Sequence, residues 1–142
     1  KEGVKVVQCK AVEELVRNSD IICTTTPSTT PVLPDDKELL RGKCIIAIGS
    51  YMPEMREIPD AVLDLVDNVY IELPYACEES GDLSQPLASG KLTKDRVKLM
   101  HEYLVSGEKE IKEGQTTYFK SVGMGLFDVC IAQKLYEVAK EK

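Results

Sequence analysis

Short apolar runs of strand type alternate with amphipathic helical segments along all 142 residues. That alternation narrows the choice of fold more than any other feature. Strands joined through helices run parallel, and a parallel sheet needs helices packed on it. "VKVVQC" (4–9) reads as a strand and "AVEELVRNS" (11–19) as a helix with apolar residues at 12, 15 and 16. "DIICTTT" (20–26) is the next strand, followed by a Ser/Thr/Pro loop to Pro34 and a short helix, "DDKELLRG", stopped by Gly42. The strand "KCIIAIGS" (43–50) follows, then a helix in "IPDAVLDLVD" (58–67) with Pro59 in its first turn, and the strand "NVYIEL" (68–73). "YACEESGDLSQPLASGKL" (75–92) is turn-rich and reads as short helical pieces. "TKDRVKLMHEYLVSG" (93–107) reads as a helix capped by Thr93, "TTYFKSV" (116–122) as the last strand, and Leu126 to Lys140 as a long closing helix.

The runs "DIIC" and "CIIAI" are apolar at successive positions, which predicts strands covered on both faces. The expected class is α/β, a doubly wound, mostly parallel sheet of the nucleotide-binding kind. Ligands of such sheets lie beyond the carboxyl ends of the strands. Gly49-Ser50-Tyr51-Met52-Pro53 leaves a strand at that end and therefore stands where a ligand would be.

Charge and composition exclude several functions. A formal charge of −6 disfavours nucleic acid and acidic membranes as partners. The longest apolar runs are far short of the roughly 20 residues of a membrane span. Cys9, Cys23, Cys44, Cys77 and Cys130 contain no CxxC pair. Their placement suggests buried or half-buried free thiols and a reducing cytoplasm. His101 stands alone in a polar stretch and reads as a solvated surface residue, so no metal site is expected.

Two segments could hold a cofactor. Gly123-Met124-Gly125-Leu126-Phe127-Asp128 approximates the dinucleotide fingerprint G-x-G-x-x-G, but Asp128 replaces the third glycine and would repel a pyrophosphate. No strand follows its helix to complete a βαβ unit, so the segment reads as a turn that lets the last helix pack closely. "TTTPSTTPV" (24–32) offers hydroxyls and backbone N–H groups after a buried strand; a ligand site and a self-capped turn both fit it. "EESGDL" (78–83) reads as a solvated face.

Taken together, "TTTPSTTPVL" (24–33), "AIGSYMPEMREI" (47–58), "ESGDL" (79–83) and "YFKSVGMGLFD" (118–128) give the chain a specific likeness. In this order and at these spacings it resembles the ornithine cyclodeaminase/mu-crystallin family over essentially its whole length. That resemblance implies a Rossmann-like NAD(P) domain. It also implies that residues 1–142 form one domain, the carboxyl-terminal part of that fold, without the front βαβ unit and its glycine-rich turn. The substrate and dimerisation domain would lie outside these residues.

By the same resemblance, Thr26 contacts the dinucleotide, and Ala47, Ile48 and Gly49 form the strand end along its nicotinamide half, where Gly49 lets backbone approach the ligand. Ser121 lies near the nicotinamide amide and Val122 touches substrate. Tyr51 departs from the pattern, because cyclodeaminases of the family have there an aspartate that acts on the substrate's amino group. A phenol with a pKa near 10 does not replace that carboxylate at neutral pH. Reduction of a C=N bond needs mainly hydride delivery to an oriented imine. The expectation is an NAD or NADP oxidoreductase acting on a small amino or imino acid, homodimeric and cytoplasmic. Ornithine cyclodeaminase proper and a non-catalytic mu-crystallin-like binding protein are the alternatives.

Overall fold

The structure, a computed structural model, describes residues 3–107 and 111–140. Five strands form one all-parallel sheet: β1 (Ile21–Thr24), β2 (Cys44–Ala47), β3 (Val69–Ile71), β4 (Val97–Leu99) and β5 (Thr117–Lys120), in the order β1-β2-β5-β3-β4. Helices α1 (Val12–Arg17), α2 (Lys37–Leu40), α3 (Asp60–Leu65), α4 (Ala76–Glu79), α5 (Gly81–Ser89), α6 (Met100–Ser106) and α7 (Gly125–Lys140) precede, connect and follow the strands. None of the described helices is long and apolar enough to cross a membrane. The alternating pattern thus yields the parallel α/β sheet it predicts.

Crossover handedness sorts the helices between the faces. The steps β1 to β2, β2 to β3 and β3 to β4 advance in one direction, and β4 to β5 returns. Right-handed crossovers then place α2, α3 and the α4/α5 pair on one face and α6 on the other. Burial agrees. On the first face Ile22, Thr24, Ile45, Ala47, Tyr118 and Lys120 are all buried. On the second, Tyr103 of α6 packs against Tyr70 of β3 with ring centroids 5.1 Å apart.

Two-sided burial is therefore confined to β3, where Val69, Tyr70 and Ile71 are all buried. β1 and β2 alternate instead, with Ile21 and Cys23 exposed and Cys44 and Ile46 half-buried, because α6 reaches only the β3 side. The expectation of coverage on both faces fails at these two strands for that reason. It fails also for two thiols: Cys23 is exposed on the uncovered face, and Cys130 is exposed on α7, none of whose residues is buried. His101 is exposed, as its polar surroundings suggest.

Two further segments differ from expectation. Residues 4–9 form no strand, and Val4, Val6 and Val7 are exposed, because no strand among the described residues pairs with them. The segment 93–107 is not one helix. A 3-10 turn (Lys94–Arg96) leads into β4, then α6, and Thr93 makes no side-chain cap. Arg96 accounts for this, since its guanidinium donates to the carbonyls of Leu63, Val66 and Asp67 at the end of α3. That anchor lays Val97 and Leu99 alongside Val69 and Ile71.

The helices carry ordinary local signals. Asp36 caps α2 by accepting from the Glu38 and Leu39 amides, and Ser80 caps α5 at Asp82 N. Gly123 has φ +93° in the turn before α7, and a Cβ at Gly123 or Gly125 would meet nothing within 4 Å. The turn needs glycine for its backbone angle, not for the close helix packing expected of it.

Asp64 on α3 holds the helical layer together at the surface. Its carboxylate meets Lys37 Nζ at 2.7 Å and Lys91 Nζ at 2.6 Å. The hydrogen bond from Lys37, then that from Lys91, lowers its pKa from the ordinary carboxylate value. A depressed folded pKa contributes stability above the unfolded value of about 3.9, and loses it as pH falls through the folded value. Asp64→Asn should therefore cost about 0.5–1 kcal/mol at neutral pH, the range of exposed ion pairs. The variant should also lose stability less steeply than the parent below about pH 4. Urea unfolding of the full-length protein across that pH range measures both effects.

Candidate functional site

Register brings the resemblance-derived residues to one edge of the sheet. Thr24, Ala47, Lys120 and Ile71 stand in one row across β1, β2, β5 and β3. Thr26, Gly49 and Val122 each lie two residues beyond that row, at the carboxyl ends of adjacent strands. The Ala47 side chain packs in the core, while Ile48, Tyr51 and Met52 are exposed and Val122 is half-buried. Ile48 N donates to Thr24 O at 2.9 Å, and Ser121 N to Ala47 O at 3.0 Å.

A carboxylate absent from the sequence reading organises this edge. Glu57 is wholly buried and accepts four hydrogen bonds: from Thr24 Oγ1 at 2.8 Å, Thr26 N at 2.6 Å, Thr26 Oγ1 at 2.8 Å and Gly49 N at 2.8 Å. The end of β1 is thereby tied to the end of β2. The hydroxyls of Thr24 and Thr26 serve this clamp, and Ser28 Oγ donates to Thr30 O. Of the two readings left open for "TTTPSTTPV", the turn bonded within itself describes Ser28, whereas the Thr24 and Thr26 hydroxyls are taken by Glu57 from outside the segment.

The space beside Gly49 is also filled by protein. A Cβ there would fall far inside contact distance of the Thr26 backbone and 2.6 Å from Glu57 Oε1. Glycine is needed at 49 so that Thr26 and Glu57 fit, a requirement that holds with or without a ligand.

Behind Glu57 stands the segment read as a solvated face. Glu78 and Glu79 are exposed, but Ser80, Gly81, Asp82 and Leu83 are buried. Asp82 Oδ1 accepts from Glu57 N at 2.7 Å and Ile58 N at 2.9 Å. Ser50 Oγ donates to Met55 O and shares a hydrogen bond with Ser80 Oγ, while Gly81 N donates to Met52 O. A Cβ at Gly81 would collide with the carbonyls of Pro53 and Met55. The start of α5 is thus the mould for the loop 50–58.

Lys120 completes the cluster. It is wholly buried, with Nζ 3.4 Å from Asp82 Oδ2, a close approach of charges rather than a hydrogen bond. Burial pushes the Asp82 carboxyl up and the Lys120 ammonium down, and their mutual attraction opposes both shifts. Burial, with Asp82 and then Glu57 adding to it, raises the Tyr118 phenol well above its usual value.

A second carboxylate serves β5. Glu72 is buried, and its Oε1 accepts from Ser121 Oγ at 2.8 Å, Val122 N at 2.6 Å and Gly123 N at 3.1 Å. Ser121 Oγ also accepts from Gly123 N, and the Tyr75 hydroxyl donates to Gly123 O. A cleft of about 580 Å³ between α4, α5 and β4 is lined by none of the resemblance-derived residues. Among the described residues no group of three or more His, Cys, Asp or Glu could hold a metal ion.

Glu57, Glu72, Asp82 and Lys120 escaped the sequence reading. Their signal is a charged residue next to apolar neighbours, as in "YIEL" and "YFKSV", and such residues are buried only when paired.

Comparison with known proteins places this geometry in a wider set. The profile of the Ornithine cyclodeaminase/mu-crystallin family matches residues 1–142. The chain is 37% identical over 136 residues to a Delta(1)-pyrroline-2-carboxylate reductase of Bacillus cereus, an alignment covering 94% of this chain and 41% of that protein. It is 33% identical over 129 residues to the ketimine reductase mu-crystallin of Rattus norvegicus, covering 91% and 39%. The fold superposes on an archaeal alanine dehydrogenase dimer with bound NAD at a TM-score of 0.73 and 25% identity, covering 94% and 42%. The chain therefore spans about two fifths of the length of these proteins.

The clamp predicts a severe effect at Gly49. Gly49→Ala forces a methyl group into the Thr26 backbone and the Glu57 carboxylate, and should cost roughly 1–3 kcal/mol as an overpacking substitution. Chemical denaturation of the full-length protein measures it, and unchanged stability would show that the strand ends are not locked together in this way.

Proposed function

Because the chain belongs to the ornithine cyclodeaminase/mu-crystallin family, we propose that the protein is an NAD(P)-dependent reductase of a small imino acid. In this reading residues 1–142 supply the edge that receives the nicotinamide half of the cofactor. The observation that carries it is the convergence of the ends of β1, β2 and β5 in one register, each sealed from below by a buried carboxylate.

The residues present fit one half of the dinucleotide better than the other. Glu57 and Glu72 occupy the backbone N–H groups of Thr26, Gly49, Val122 and Gly123. Phosphates need such donors and are repelled by carboxylates beneath them. The exposed side chains here are Ile48, Tyr51 and Met52, at 42%, 51% and 40% of their accessible surface. An apolar rim over buried negative charge suits a flat ring that is neutral when reduced and cationic when oxidised.

When bound, the cofactor supplies the hydride. Ile48 and Met52 would shield the ring from water, Thr26, Ala47 and Gly49 would present the rigid strand ends beneath it, and Ser121 would stand near its amide. Val122 would touch substrate. Tyr51 favours imine reduction over cyclising deamination, because the family's cyclodeaminases use a carboxylate where this chain has a phenol. The names of the reductases from Bacillus cereus and Rattus norvegicus support the same choice. A small amino or imino acid as substrate, a homodimeric assembly and a reducing cytoplasmic setting complete the proposal.

Incubating the full-length protein with NADH or NADPH and a cyclic imino acid such as pyrroline-2-carboxylate should consume reduced cofactor and yield the cyclic amino acid. Turnover of ornithine to proline and ammonia without that activity would overturn the assignment. Tyr51→Phe should slow imine reduction by about tenfold or less, roughly 1.4 kcal/mol in the barrier. A loss of several orders of magnitude would make the phenol an essential acid.

A further inference from the structure

Lys120 lies beneath the strand-end clamp, and the proposed reaction gives it no task. It sits on the middle strand of the sheet, level with Ala47 and Ile71, and no part of it reaches solvent. A buried ammonium is costly where an apolar side chain of similar length would pack, so its retention calls for a reason. Its one close ionic partner among the described residues is Asp82 Oδ2 at 3.4 Å, and neither atom forms a hydrogen bond. Glu57 and Glu72 are the other charges that act on it.

Asp82 faces two ways. Oδ2 looks toward Lys120, and Oδ1 accepts from the Glu57 and Ile58 amides. Those amides fix the backbone of Glu57, whose carboxylate holds Thr26 and Gly49. An unbroken series of contacts therefore runs from the middle strand to the ends of β1 and β2.

We propose that Lys120 is a positioning residue: by neutralising Asp82 it keeps that carboxylate aimed at the Glu57 and Ile58 amides, which seats Glu57 beneath the ends of β1 and β2. The role of those strand ends as a cofactor edge rests on the function proposed above; the relay itself does not. The competing explanation is that Lys120 balances buried charge without directing the loop 50–58.

Amide hydrogen exchange on the full-length protein separates the two. Lys120→Met leaves Asp82 uncompensated and should speed exchange at the Thr26, Gly49, Glu57 and Ile58 amides by about tenfold relative to Ile45 and Val69 in the sheet interior. Adding Asp82→Asn removes the second charge but keeps Oδ1 as an acceptor, and should return those four rates to near the parent values. Unchanged rates in Lys120→Met, equal acceleration throughout the core, or failure of the double variant to recover would each overturn the relay. Should Lys120→Met alone not fold, Lys120→Met/Asp82→Asn compared with Lys120→Met/Asp82→Ala carries the same contrast. The relay then requires slow exchange in the first pair and fast exchange in the second. NADH affinity of the same variants should follow the exchange rates, weakening about tenfold and recovering. A parent protein that binds no NADH would instead defeat the cofactor reading, while exchange still decides the relay.

Discussion

The Glu57 carboxylate is the interaction on which the rest of this edge depends. A carboxylate removed from water is tolerated only when hydrogen-bonded, and strand-end amides that leave a sheet need acceptors in turn. Glu57 meets both demands at once with four donors at and just beyond the ends of β1 and β2. The neighbouring residue choices follow from that geometry. Gly49 leaves room for the Thr26 backbone, Asp82 holds the Glu57 amide, and Gly81 lets the loop 50–58 lie against the start of α5.

The same bonding decides what the edge can receive. In a glycine-rich dinucleotide turn, open amides and a helix N-terminus hold the pyrophosphate. Here Glu57 and Glu72 consume the corresponding amides of β1, β2 and β5, and Asp128 stands in the first turn of α7. On the function proposed above, such an edge would repel phosphate and accept a ring resting on Ile48 and Met52.

How far this was legible in the sequence follows from what local pattern can encode. β1, β2, β3 and β5 announce themselves as apolar runs bounded by turns, and the parallel sheet follows from their alternation with helices. β4 does not, because its placement depends on Arg96 reaching the carbonyls that end α3, a contact between residues about 30 positions apart. Two-sided apolarity in β1 and β2 overstated their burial, since periodicity reports what a strand could bury rather than what covers it. "ESGDL" looks polar and solvated, yet Ser80 and Asp82 are buried because each meets a partner from the loop 50–58. Family likeness singles out Thr26, Gly49 and Ser121, which the register of the sheet brings to one edge. Their inward hydrogen bonds to Glu57 and Glu72 could not be read from spacing alone.

A crystal structure of the full-length protein with NADH tests the central claim most directly. The clamp predicts a nicotinamide ring over the ends of β2 and β5, against Ile48 and Val122, with the bonds from Glu57 to Thr26 and Gly49 unbroken and the phosphates away from both carboxylates. A dinucleotide whose phosphates take the amides of Thr26 or Gly49, with Glu57 displaced, would contradict it.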